Sequence, residues 1–353
     1  YRRVGADWRY DATVGAEQVS PEIHESHSIA INGDGTVLAI GTPLEFGAFP
    51  GWGSGAVYVY RRIDGFWRFE QKFQIEELFV AGSLGVVVDI DDAGDLIAAE
   101  YADFIGDHRG GVRLYRRGSD HWTLEKDLKL VVSGAPAVSA CSGLSLSGDG
   151  NHLARHCARS IGNPAHTNTR IQTFSAPSWN LQAQIPLVNE WVFRAGIDLN
   201  RDGSLLAATV DSNFSSVWRW TSTGWQPDSP SGAPVVIPVS DFSLAMSANG
   251  NYIAIGAPAD GTGGLGVVYP PFLPGVANSG TVRVFERKGG AWSLRQALKA
   301  NTSTPQRFGY SLAFGDNGSV MAVGAVADSS DATGIDGDQF DMSRPDSGAV
   351  WLY

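Results

Sequence analysis

The chain has 353 residues, of which 43 are Gly and 10% are aromatic, and its formal net charge is −11. That charge disfavours nucleic acid and anionic membrane surfaces as partners, since nothing offsets phosphate repulsion. No apolar run is long enough to predict a transmembrane helix, so membrane insertion is not expected. Abundant Gly with no long amphipathic helical pattern predicts a single all-β object built from short strands and tight turns.

In chain order, the first strand-like stretch is DWRYDATV, beginning at Asp7, which has no sheet of its own nearby. The chain starts at Tyr1 without an initiator Met, and a removed leader is expected, with an extracellular or periplasmic location. Six self-similar hairpins follow. They are SIAINGDGTVLAIGT from Ser28, VVVDIDDAGDLIAAE from Val86 and GLSLSGDGNHLARHC from Gly143. The other three are GIDLNRDGSLLAATV from Gly196, SLAMSANGNYIAIGAP from Ser243 and SLAFGDNGSVMAVGA from Ser311. Five have alternating strands around an Asp/Asn-Gly turn, the usual hairpin signal, and the second has Ala93-Gly94 in that place. A third strand comes next in each unit (AVYVYRR, GVRLYRR, RIQTFSA, SVWRWTS, TVRVFER, AVWLY). A fourth opens with Trp67, Trp122, Trp179, Trp225 and Trp292. After the last third strand the chain ends, and the missing Trp-led strand is found at the N-terminus as Trp8.

Four-stranded units repeated in this way predict a β-propeller of six blades, with seven blades as the alternative. Blades 1 to 5 span approximately 24–75, 82–130, 140–187, 192–228 and 240–300. Blade 6 is split, 308–353 plus 1–14, and the N-terminal outer strand is expected to pair with the C-terminal strands and close the ring. The Trp series reads as packing between blades, not as a ligand cage. Cys141 and Cys157 lie equally far from Asp149, at the centre of the turn SGDGN, so they face each other across a hairpin. A disulfide is the expected outcome, with two buried thiols as the alternative.

The last unit carries Phe308-Gly309 and Gly324-Ala325, the fifth Gly256-Ala257-Pro258, and the first Gly41-Thr42-Pro43. On these residues the chain resembles the FG-GAP repeat family, the repeat of integrin α-subunit propellers and of many secreted bacterial proteins. The resemblance covers the whole chain, most clearly in units one, five and six. It implies a propeller used for binding or adhesion, although integrin propellers have seven blades. It also implies Ca²⁺ in the inner hairpin turns. For such a site DLNRDGSLL supplies Asp198, Asn200 and Asp202 but has Leu206 at the final acidic position; DIDDAGDLI supplies Asp89 and Asp91. The other reading is an Asp/Gly turn that needs no metal.

Three second-to-third-strand loops are long, at 44–54, 259–279 and 327–347, in blades 1, 5 and 6. Long loops in compact folds are where function concentrates. They carry the candidate ligand-binding residues Phe46, Phe49, Trp52, Tyr269, Phe272, Asp336, Asp338 and Asp341, an apolar group beside an acidic one. The other reading is that these loops fold over one another. Catalytic residues are not predicted. His152 and His156 are four apart on a strand, about 13 Å, too far to share an ion, and no nucleophile-elbow, phosphate-loop or zinc-protease motif occurs. The leading expectation is therefore a non-enzymatic propeller that binds a protein or a glycan. The alternatives are a carbohydrate-active hydrolase or lyase on the same scaffold, or a structural subunit of a larger extracellular assembly.

Overall fold

The computed structural model describes residues 1–5, 7–14, 28–45, 54–75, 83–102, 110–129, 139–160, 167–187, 196–210, 214–231, 237–238, 243–269, 274–301 and 304–353. The six hairpins of the sequence become six antiparallel sheets, the blades of a β-propeller. A short hairpin of β1 (Arg2–Val4) and β2 (Asp7–Arg9) precedes them. Blade 1 is β3 (Ser28–Ile31), β4 (Val37–Thr42), β5 (Ala56–Ile63) and β6 (Phe66–Gln74). Blade 2 is β7 (Val88–Ile90), β8 (Leu96–Tyr101), β9 (Gly111–Arg117) and β10 (Trp122–Lys129). Blade 3 is β11 (Ser139–Leu146), β12 (His152–Ser160), β13 (Thr167–Ser175) and β14 (Asn180–Pro186). Blade 4 is β15 (Ile197–Leu199), β16 (Leu205–Thr209), β17 (Phe214–Thr221) and β18 (Gly224–Pro227), with β19 (Ile237–Pro238) also on β17. Blade 5 is β20 (Ser243–Met246), β21 (Tyr252–Ala257), β23 (Thr281–Lys288) and β24 (Ala291–Lys299); the loop strand β22 (Gly266–Val268) lies along the outer edge of β24. Blade 6 is β25 (Phe308–Phe314), β26 (Met321–Ala325) and β27 (Ala349–Leu352).

The inner turns are shaped by one repeated device. Asn32, Asp91, Ser147, Asn200 and Ser247 each accept a hydrogen bond from the backbone N–H five residues on, through a side-chain oxygen. Gly35, Gly94, Gly150, Gly203, Gly250 and Gly318 follow in the left-handed region, with φ between 66° and 73°, where a β-carbon is disfavoured. Alternation along the strands then sends successive residues to opposite faces of each blade. Adjacent blades share apolar clusters, as between Val57, Val59 and Val88, Ile90, or between Leu96, Leu114 and Leu144, Leu153. Arg201, on the blade 4 turn, donates to Asp92 of blade 2 (2.5 Å) and to Asp316 of blade 6 (2.6 Å). One side chain reaches blades two places away on either side only if the turns surround a common axis.

Between blades the outer strands are clamped through tryptophan. The indole N–H of Trp122 donates to Glu70 (3.0 Å), that of Trp179 to Glu125 (2.6 Å) and that of Trp292 to Asp228 (2.8 Å). In each case the carboxylate belongs to the fourth strand of the preceding blade or the residue directly after it. Arg117 also donates to Glu70, and Arg287 grips Asp228 through two nitrogens, both at 2.7 Å. Trp225 instead donates to the Thr173 hydroxyl (3.1 Å). The Trp residues therefore pack, as expected, and also act as hydrogen-bond donors.

The seam between blades 6 and 1 differs from the sequence expectation. The N-terminal strand does not join the C-terminal sheet: β2 pairs with β1, and blade 6 has three strands among the described residues. Gly5, at φ 67°, lets the chain turn back at once, so Asp7–Arg9 finds a local partner before a distant one. The side chains that follow nevertheless reach blade 1. Asp11 accepts a hydrogen bond from Arg62 (2.8 Å), whose guanidinium lies over the Trp67 ring, and Val14 packs against the cluster that holds Tyr58 and Tyr60. Ile29 and Ile31, which face this seam, are 63% and 55% exposed, whereas their counterparts Val88 and Ile90 are 4% and 6% exposed.

The expected disulfide is formed. Cys141 and Cys157 are directly opposed in the β11–β12 register, with Cα atoms 4.0 Å apart. Asp228 is fully buried, and its removal leaves the Arg287 guanidinium and the Trp292 indole without their acceptor. Asp228→Ala is expected to lower the unfolding free energy by about 2–3 kcal/mol, read from urea denaturation. A loss below about 0.5 kcal/mol, the range of an ordinary surface change, would contradict the clamp.

Candidate functional site

At the turn end, side chains rivet the inner strands of blades 2 to 5 to one another. Asp89 accepts from the Leu146 N–H (2.7 Å), Ser145 from the Leu199 N–H (3.0 Å) and Asp198 from the Met246 N–H (2.7 Å). The Ser145 hydroxyl also donates to Asp198 (3.0 Å), which links three blades. Burial raises the Asp198 carboxyl to about 6. Burial, together with the negative charge of Asp198, raises Asp89 to about 7.

The turn residues considered as Ca²⁺ ligands brace the backbone in this arrangement. One Asp91 oxygen accepts from the Asp95 and Leu96 N–H groups. Asn200 accepts from Leu205 N–H and donates to Ser204, and Asp202 accepts from Ser204 N–H. A hard cation of this kind draws six to eight oxygens onto one point. Among the described residues no group of three or more His, Cys, Asp or Glu side chains is so placed.

The opposite end carries the strand-joining loops, and there the loops of blades 5 and 6 border an open cleft of about 450 Å³. It is lined by Asn278, before β23; by Pro305 and Arg307, before β25; and by Val326, Ala327 and Asp346, between β26 and β27. Backbone hydrogen bonds join its walls: Arg307 N–H to Asn278 O (2.9 Å), Phe308 N–H to Ser279 O (3.2 Å) and Ala327 N–H to Gln306 O (3.1 Å). Gly280 makes this approach feasible, since a β-carbon there would lie 2.1 Å from Phe308 O. Behind the wall, the buried Lys299 ammonium donates to Ser279, Thr281 and the Gly280 carbonyl, and burial lowers it to about 8.

Three cleft residues, Asn278, Arg307 and Asp346, hold left-handed backbone with φ of 60°, 53° and 54°. Asn and Asp tolerate that region, but for Arg it is disfavoured, at about 1–3 kcal/mol. Arg307 and Asp346 are exposed, and among the described residues no ion pair or side-chain hydrogen bond engages either charge. Beside the cleft, Asp328 is 1% exposed; one oxygen accepts from the Ser330 N–H and the other has no hydrogen-bond partner.

Of the loop residues named from the sequence, Tyr269 is 63% exposed. Asp336, Asp338 and Asp341 are exposed, and the last two accept from the Phe340 and Ser343 N–H groups of their own turns. Phe46, Phe49, Trp52 and Phe272 lie outside the described residues. The cleft residues themselves were missed. The available signal was Arg307 directly before the Phe308-Gly309 motif, in the short connector between two long-loop blades.

No known family profile and no curated protein sequence matches this chain. Solved propellers do. The β-propeller domain of Cps50 (Swd1) from Myceliophteria thermophila is 13% identical, with 84% of this chain and 79% of that chain covered and a TM-score of 0.50. The periplasmic gluconolactonase PpgL of Pseudomonas aeruginosa is 14% identical, with 89% and 85% covered and a TM-score of 0.49. At such identities the likeness concerns the β-propeller fold alone; the count of six blades comes from the strands.

The rivets yield a pH prediction. Both carboxyls stand above their ordinary value of 3.8, so between pH ~4 and ~7 the folded chain holds more protons than the unfolded one. Their effect is to lower stability as pH rises through that window. Replacing both by Ser, the residue that rivets blade 3, keeps an acceptor without the charge. The Asp89→Ser/Asp198→Ser variant is expected to show a shallower fall in denaturation midpoint from pH 4 to 7 than the native chain. Parallel profiles would refute the assignment.

Proposed function

We propose that this propeller is a non-catalytic recognition domain of the extracellular or periplasmic space, binding its ligand through the loop face of blades 5 and 6. The observation that carries this reading is the cleft, whose Arg307 is held by disfavoured backbone and whose guanidinium and carboxylate are unpaired among the described residues. A scaffold tolerates such a conformation where it serves contact with something else. Exposed Tyr269 and Phe340 on the same two loops add contact area of the kind that interfaces favour. The FG-GAP resemblance supports binding as the role. The Cys141–Cys157 disulfide fits an oxidising compartment.

Purified protein is to be passed over panels of immobilised glycans and extracellular proteins, alongside a Tyr269→Ala/Arg307→Ala/Phe340→Ala variant. The expected result is at least one specific interaction, weakened tenfold or more in the variant. Equal binding by both proteins would place recognition elsewhere on the molecule.

A further inference from the structure

We propose that the cleft formed by Asn278, Arg307 and Asp346 is a saccharide subsite, selective for a neutral, hydroxyl-rich ring. This rests on the recognition reading above and names the chemistry of its ligand.

The three side chains form a complementary set. An ionised Asp accepts hydrogen bonds through two oxygens, Asn both donates and accepts, and Arg presents a planar fork of donors. Sugar hydroxyls are each donor and acceptor, so adjacent hydroxyls can satisfy a carboxylate and an amide or guanidinium at once. Pro305, Val326 and Ala327 supply an apolar wall for the C–H face of a ring. The volume of about 450 Å³ lies in the range of small-molecule sites. The backbone bonds between the walls fix the main chain that carries these groups, which reduces what a ligand must order on binding.

Charge argues for a neutral ligand. Arg307 and Asp346 both line the cleft without forming an ion pair, so a ligand carrying a single charge meets one of them unfavourably. A simple anion meets a further penalty. The loop that bears Asp346 also holds Asp331, Asp336, Asp338 and Asp341, and Arg344 is engaged with Asp331 (3.3 Å). The chain as a whole carries a net charge of −11.

The test is calorimetric titration of the full chain with neutral hexoses and N-acetylhexosamines, uronic acids, and free α-amino acids as zwitterionic controls. The protein is compared with Arg307→Ala, Asp346→Asn and the loop control Asp336→Asn, each checked for an unchanged melting temperature. The expected result is binding of at least one neutral sugar, weakened tenfold or more by Arg307→Ala and by Asp346→Asn but not by Asp336→Asn. Should a cleft variant fail the melting check, Arg307→Lys takes its place, since it keeps the charge and loses the fork. Binding confined to uronic acids or to amino acids overturns the neutral-sugar assignment and leaves recognition at this cleft standing. If no sugar binds but a protein partner does, and the Tyr269/Arg307/Phe340 variant loses it, the subsite is refuted and the broader reading survives. Sugar binding indifferent to both cleft variants overturns the assignment as well.

Discussion

The contact on which the rest of this structure depends is the indole-to-carboxylate bond between neighbouring blades. A propeller blade is a twisted sheet whose faces are both buried, so each blade must be held at a fixed angle to the next. Apolar packing supplies most of the attraction but little direction. A tryptophan N–H aimed at a carboxylate on the preceding blade supplies direction, and a guanidinium on the same oxygen pair strengthens it. The carboxylates vary in setting from Asp228, fully buried under Arg287 and Trp292, to Glu70, shared by Trp122, Arg61 and Arg117. At the axis, rivets from Asp89, Ser145 and Asp198 and the Arg201 bridge fix the inner edge. Clamped outside and riveted inside, the blades so joined have little freedom, and the strand ends they carry are held at fixed positions.

That rigidity bears on the cleft. Its walls come from two blades and from the connector between them, so its shape is set by the blade 5–6 angle. Phe308 is fully buried, with Trp351 and Tyr353 against its edges, and Tyr353 donates to the Lys299 carbonyl. Arg307 therefore stands directly before a fixed aromatic anchor, and Asn278 stands two residues before the close approach at Gly280. A disfavoured backbone at Arg307 persists because both of its flanks are pinned.

Much of the fold was legible in the sequence. Hairpin turns, third strands and tryptophans recur with enough regularity to count blades and to place Cys141 opposite Cys157. The clamps were also written there, as Trp8-x-x-Asp11, Trp67-x-x-Glu70, Trp122-x-x-Glu125 and Trp225-x-x-Asp228, but reading tryptophan only as volume hid them. The seam was half legible. Asp11 and Val14 reach blade 1 from the N-terminal segment, while the ladder expected from Asp7–Arg9 gave way to a local hairpin through Gly5. The cleft was the least legible part, because it is made where separate loops meet. Loop length pointed to the face on which the cleft lies, but Arg307 and Asp346 become notable only through their left-handed backbone and their lack of side-chain partners among the described residues, neither of which a sequence displays.

The most direct test of this account is a pair of double-mutant cycles, one on Asp11 and Trp67 at the seam and one on Glu70 and Trp122 within the ring. Asp11→Asn and Glu70→Gln are each combined with Trp→Phe, and stability is measured by denaturant unfolding. If the same clamp operates at both places, each pair shows a coupling energy between about 0.5 and 3 kcal/mol, the range of directly interacting groups. Coupling at Glu70–Trp122 with none at Asp11–Trp67 would contradict the claim that the N-terminal segment completes the series of clamps.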